Sequence, residues 1–353
     1  MKELKLLLAL CFLVVACAPK EETIVSNVEI TTLKNLPEPV SNNAVVEGFI
    51  DGEPYVFSFA GLDSTKTYSG IHLRSYRYDV KADSWLQIAD LPDTLGKIAS
   101  AASRIKDTIY IIGGYHVFKD HSERSSNKVH RYSVKENRFL EDAAAIPIPI
   151  DDQVQAVWRD SLIYVVTGWS DIENRNSVQI YNPTLNRWQE GESVPDNHIY
   201  KSFGASGVII ADTIFYFGGA SMGKHYPIQN VLRKGIIDPK DPTKIEWSYA
   251  VLDSTIVGYR MAATEVNNDP HWIGGSSITY NYNPEAYNGS GGVSPEYRDL
   301  SYQNGELIPA QTSKIPMDLR GIAVLNDSMR IVVGGIEDQQ IVSQKVYLLK
   351  WKE

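Results

Sequence analysis

Ile109-Tyr110-Ile111-Ile112-Gly113-Gly114 is a short run of β-branched and aromatic residues ended by two glycines. It is too short for a helix, and its residue types suit a buried pleated strand. The polar turn Lys106-Asp107-Thr108 stands before it, preceded in its turn by another strand-like segment. Comparable runs recur along the chain, from Tyr55 to Gly61, Leu162 to Gly168, Ile214 to Gly219, His271 to Gly275 and Arg330 to Gly335. Their last glycines fall at 61, 114, 168, 219, 275 and 335, at intervals of 53, 54, 51, 56 and 60. A period near fifty residues, filled with short strands and turns, predicts one small sheet repeated six times around an axis.

Within each unit the strand before the glycines follows a tight turn, such as Ile50-Asp51-Gly52, Arg159-Asp160-Ser161 or Asn326-Asp327-Ser328. Asp, Asn and Gly accept the backbone angles of such turns and hydrogen-bond locally. Past the glycines come a variable polar loop, a strand with Tyr, and a second aromatic seven residues on. The pairs are Tyr78 and Trp85, Tyr132 and Phe139, Tyr181 and Trp188. In the fourth unit Asp238-Pro239-Lys240-Asp241-Pro242 is expected to lengthen the turn before Trp247. Most units close on an apolar residue and Pro, as in Leu91-Pro92, Ile146-Pro147, Val194-Pro195 and Ile315-Pro316, where proline ends an outer strand.

The diglycines at 113–114, 218–219, 274–275 and 334–335, with the spaced Tyr and Trp, resemble kelch repeats over nearly the whole chain after its first residues. The resemblance implies an all-β, six-bladed kelch-type β-propeller spanning residues 28–353. The third unit departs with Thr167-Gly168, the first with Ala60-Gly61, and the fifth lacks the aromatic partner of Tyr302. The sixth unit stops after a third strand from Lys345 to Trp351, and Val28 to Leu33 supplies its missing outer strand. That closure removes two open sheet edges. It also resembles the six-bladed sialic-acid epimerases (mutarotases) of the periplasm.

Residues 1–16 form a leader: Lys2 and Lys5, then an apolar run from Leu6 to Ala16, too short to span a bilayer as a stable helix. Val14-Val15-Ala16-Cys17 resembles a bacterial lipobox, which implies lipidation at Cys17, and residues 17–27 follow as a polar tether. The chain is then expected to be an outer-membrane lipoprotein, periplasmic or surface-exposed, a monomer that touches membrane through its lipid alone. The only cysteines are Cys11 and Cys17, so the body holds no disulfide, thiolate metal site or cysteine nucleophile. A copper site of the galactose-oxidase kind requires a Cys and is excluded; no cofactor and no metal are expected. With a formal net charge of −9, or −10 once Lys2, Lys5 and Glu3 leave with the leader, the chain repels phosphate backbones, and nucleic acid is not an expected partner.

Chemistry belongs on the face carrying the loops after the glycines, which hold Tyr115 to His121, Trp169-Ser170-Asp171, Met222 to Tyr226 and the long stretch from Ser276 to Gly292. The last is rich in Tyr and Asn, groups that stack on sugar rings and bond their hydroxyls. Aligning the starts of the six inner strands gives Asn43, Lys97, Gln153, Lys201, Arg260 and Arg320. Four cations at one channel mouth suit an anion, so Lys97, Lys201, Arg260 and Arg320 are the candidate grip for an acidic sugar, with Trp169 and Tyr282 beside them. Tyr115, Asp152 and His225 are the candidates for proton transfer. Neutralisation by Asp151, Asp152, Glu337 and Asp338 is the alternative reading of the same cations. Three functions stay open: a carbohydrate binder with or without epimerase activity, a non-catalytic platform for a protein partner, and a lyase acting on uronate sugars.

Overall fold

Each of the six repeats forms one antiparallel sheet of four strands, with Glu123–Ser125 added as a fifth in blade two, in the computed structural model, which describes residues 24–352 apart from 283–286 and 290–292. In blade three, for example, the strands run outward from the axis as Val154–Trp158, Leu162–Val166, Val178–Asn182 and Arg187–Gly191. Blade six is completed from the other end of the chain: Val28–Thr32 pairs antiparallel with Val346–Trp351, Val28 opposite Trp351 and Thr32 opposite Tyr347. The all-β, six-bladed kelch-type propeller closed by an N-terminal outer strand is therefore the fold of the chain.

The paired aromatics lie directly across from one another on the two outer strands, Tyr78 opposite Trp85, Tyr132 opposite Phe139 and Tyr181 opposite Trp188. Each of these tyrosines donates its hydroxyl to an Asp or Asn five residues on, Asp83, Asn137 or Asn186, which sits in the left-handed turn before the outer strand. The tryptophans tie blades together: the indole N–H of Trp85, Trp188 and Trp247 donates to Lys34, Ala144 and Glu192 in the preceding blade's crossover. In blade four the extra residues around Pro239 do not lengthen the turn. Val231–Asp238 and Asp241–Val251 pair up to Asp238 opposite Asp241, and a bulge at Ile237 and Asp238 absorbs the difference.

Buried apolar residues fill the six wedges between neighbouring blades; Ile109, Ile111 and Tyr132 of blade two, for instance, pack on Phe57 and Phe59 of blade one. The last glycine of every unit reaches across the same wedge. Its N–H donates to the segment leading into the next inner strand: Gly61 to Lys97, Gly114 to Ile150, Gly168 to Ser202, Gly219 to Gly258, Gly275 to Pro316 and Gly335 to Val40. The glycine before it allows that approach, since a Cβ on Gly218 would lie 2.2 Å from the Gly258 carbonyl oxygen.

A second sixfold set surrounds the axis. Asn42, Ala99, Asp152, Gly204, Arg260 and Asp318 all have left-handed backbone angles. N–H groups pass hydrogen bonds from blade to blade: Asp152 to Ala99, Gly204 to Asp152, Arg260 to Gly204, Leu319 to Arg260 and Asn42 to Asp318. The Asn42 side chain completes the circle by accepting from the Ala99 N–H at 2.7 Å. This pinch separates the central channel, which opens toward the face of the short turns, from a cleft on the loop face. Above it the loops share a further apolar core that includes Tyr115, Phe203, Tyr259, Tyr280 and Met317.

Candidate functional site

The cleft on the loop face has a volume of roughly 310 Å³ and is lined by Tyr115, Glu123, Asp151, Asp152, Trp169, Asp171, Phe203, Tyr226 and Arg260. Its floor is the pinch. There Arg260 donates to Asp152 at 2.5 and 3.1 Å and to Asp318 at 3.3 Å, and Arg320 lies 2.9 Å from Asp152. Asn42 and Tyr280 also donate to Asp318 at 3.2 Å. Two aromatic faces, Tyr259 at 5.0 Å and Tyr280 at 5.3 Å, cover the Arg260 guanidinium. Two arginines and two aspartates thus balance one another below the cleft, where an unpaired buried charge would be costly.

Its walls come from the loops after the glycines. Trp169, Phe203 and Tyr226 form a mutual edge-to-face triad with ring centroids 5.3 to 5.8 Å apart, the arrangement aromatic quadrupoles prefer. Backbone hydrogen bonds in both directions between Asp151 and Trp169 fix the start of that wall. Ser125 then sets two carboxylates: its hydroxyl donates to Asp151 at 2.6 Å and accepts from the Asp171 N–H at 2.8 Å, while its own N–H donates to the Asp171 carboxylate at 3.0 Å.

The acids differ in state. Burial raises the Asp151 pKa well above its ordinary value, and the charge on Asp152 raises it further, so both favour its neutral form. Burial acts on Asp152 in the same direction, but the charges of Arg260 and Arg320 outweigh it and keep Asp152 ionised. Glu123 is exposed at the rim, yet the protein mass around its carboxyl group, with Asp152 nearby, pushes its pKa up to about 7. Adjacent carboxyls with opposite protonation are the usual sign of a donor and an acceptor assigned by environment. Tyr115 is buried with its phenol pushed upward, mainly by desolvation and then by Glu123.

The four aligned cations do not form a ring. Lys97 turns into the wedge of blade two, fully buried, where its ammonium lies 2.8 Å from Asp93 and 3.1 Å from His130. Lys201 pairs with Asp196 at 2.6 Å, away from the cleft. The reason is register: the true axial positions are 42, 99, 152, 204, 260 and 318, so the sequence alignment is correct only at Arg260 and is two or three residues early at Lys97 and Lys201. Arg260 and Arg320 do reach the axis, joined through Asp152, whereas Glu337 engages Lys345 and Asp338 accepts from Tyr297. Tyr115, Asp152 and Trp169 line the cleft, and His225 is exposed outside its lining while its neighbour Tyr226 is inside. Tyr282 lies on the strand Tyr280–Tyr282, and its side chain is outside the described residues, as is Cys17. Glu123, Asp171, Phe203 and Tyr226 are cleft residues that the strand alignment passes over, although Asp171 and Tyr226 stand in the loops the sequence marks as variable.

This architecture defines the class: a six-bladed kelch-type propeller with an acidic, aromatic cleft above a closed axial pinch. The Kelch-like protein terF of Aspergillus terreus is 25% identical over 196 residues, 54% of this chain and 41% of that protein, so the match spans about two fifths of terF. Among solved structures, one titled "Structure of YjhT" matches with a TM-score of 0.71 at 16% identity, covering 91% of this chain and 97% of the other, which shows a common fold. No protein-family profile matches the chain.

Proposed function

We propose that the protein binds a carbohydrate in the loop-face cleft. The observation that carries this reading is the meeting of the Trp169–Phe203–Tyr226 triad with acidic groups and the Tyr115 hydroxyl around a space of monosaccharide size. Aromatic rings take the C–H face of a sugar, and carboxylates accept from its hydroxyls. Asp151, whose neutral form burial favours, and the readily titrated Glu123, both in the cleft lining, are suited as proton donor and acceptor for anomer exchange by ring opening: one proton goes to the ring oxygen and one leaves the anomeric hydroxyl. An acidic sugar fits less well than the sequence suggests, because Arg260 is the one cation in the lining and is already engaged. The same point weighs against uronate lyase chemistry. In this reading the leader and Cys17 place the cleft in the cell envelope, which mass spectrometry of the mature N-terminus tests.

A platform for a protein partner is the second reading, favoured by the aliphatic side chains Leu95, Ile172, Met222, Ile278 and Ile341 exposed on the loop face. A glycan array probed with wild type and Trp169→Ala separates the two. Carbohydrate binding predicts glycan signals lost in the variant; an array blank for wild type rejects it in favour of the platform.

A further inference from the structure

We infer that the ligand of the cleft carries a cationic amino group, so that within the carbohydrate reading, on which this rests, the substrate class is an amino sugar with a free ammonium. Glu123 and Asp171 make no ion pair among the described residues, Asp151 is the acid whose neutral form burial favours, and Asp152 faces Arg260 and Arg320, which Asp318 also helps to balance. The excess of carboxyl groups over cations is therefore left at the level where a ligand would sit.

Two further observations point to a ligand. Trp169, Phe203 and Tyr226 present aromatic surface beside these acids, and Trp169 and Tyr226 are only partly buried. Aromatic faces carry negative potential, and an ammonium near them gains most where water is excluded. Tyr115, 5% exposed, lines the same cleft, and its hydroxyl has no hydrogen-bond partner among the described residues. That hydroxyl opens into the cleft and takes its partner from whatever occupies it. A phenol oxygen, the carboxyl groups of Glu123 and Asp171 and an aromatic triad together match the donors and positive charge of an ammonium on a sugar ring. An N-acetyl group removes that charge, and a carboxylate opposes the field of the cleft.

Isothermal titration of the full body of the protein tests this with methyl glucosaminide, its N-acetyl derivative, methyl glucoside, N-acetylneuraminate and choline at neutral pH and low salt. The free amine is expected to bind about tenfold tighter than the N-acetyl and hydroxyl analogues, with the preference shrinking in salt. Glu123→Gln and Asp171→Asn are expected to weaken the amine more than the analogues. Glu123→Gln lies at an exposed rim, so it reports on charge even if Asp171→Asn fails to fold. Equal binding of amine and N-acetyl forms, or tightest binding of N-acetylneuraminate, overturns the inference and leaves the carbohydrate reading standing. Binding of choline without any sugar supports the cation and overturns the carbohydrate reading, and a protein that binds none of the five overturns both.

Discussion

At Ala60 and Thr167 the backbone takes the left-handed angles (φ 55° and 48°) that glycine supplies in the other four units. An L-residue pays about 1 kcal/mol there. Ala60→Gly is accordingly expected to stabilise the fold by about that amount in a denaturant melt. Thr167→Gly is expected to destabilise it, since the single O–H of Thr167 is shared between the Arg175 and Ser202 carbonyls at 2.8 and 3.0 Å and its oxygen accepts from the Ser202 N–H at 2.9 Å. Identical responses of the two variants would show that the hydroxyl does not stand in for the missing glycine. His72, buried in blade one with neither ring nitrogen hydrogen-bonded, has its pKa lowered to about 4, chiefly by desolvation and then by Arg74. A histidine whose folded pKa lies below its unfolded value binds protons preferentially when unfolded, so its stability contribution is present above pH 6.5 and is lost as pH falls toward 4. Between pH 7 and pH 4 wild type should therefore lose about 3 kcal/mol relative to His72→Phe. A stability difference independent of pH would mean that His72 is not desolvated. The departures Ala60 and Thr167 are visible in the sequence, but the hydroxyl compensation is not, because Ser202, which both accepts from and donates to it, lies on the segment entering the next blade.

Among the elements, Val28–Thr32 is the one whose loss opens the ring. It contributes the outer edge of blade six, and Val28 and Ile30 pack on the core shared by blades five and six. Deleting residues 24–32 removes a row of inter-strand hydrogen bonds and exposes that core, which should cost on the order of 5 kcal/mol, comparable with a whole domain's margin. A thermal melt of the truncated chain is expected to shift strongly downward, and an unchanged melt would contradict closure by this strand. The element was legible because the sixth repeat lacks an outer strand and an apolar segment without a repeat stands at the other end. The blade-four bulge was not, since Pro239 and Pro242 signal a turn whether the strands end before them or run on around them.

Over the whole molecule, sixfold repetition made the fold readable while leaving the site obscure. The glycine of Gly114 recurs at every period and the aromatic of Trp188 in the first four units, so weak signals reinforce one another. The cleft has no such repetition: Glu123, Trp169, Phe203 and Tyr226 come from different loops, and their convergence depends on how each loop folds over the pinch. Alignment of inner-strand starts was also sensitive to slips, since one residue turns a side chain from the axis into the wedge. That is how Lys97 and Lys201 entered a ring they do not join, while Asp152 and Asp318 occupy its positions. The molecule is then a closed ring whose axial ion network forms the floor of the loop-face cleft. The central claim is that binding occurs in this cleft and not at a ring of cations. Its most direct test is the dissociation constant of a glycan ligand for wild type, Trp169→Ala and Lys201→Ala, each verified as folded by its melt. The cleft predicts a loss of at least about tenfold for Trp169→Ala, as for a buried aromatic contact, with Lys201→Ala within about twofold of wild type. Loss in Lys201→Ala with Trp169→Ala unaffected would contradict it.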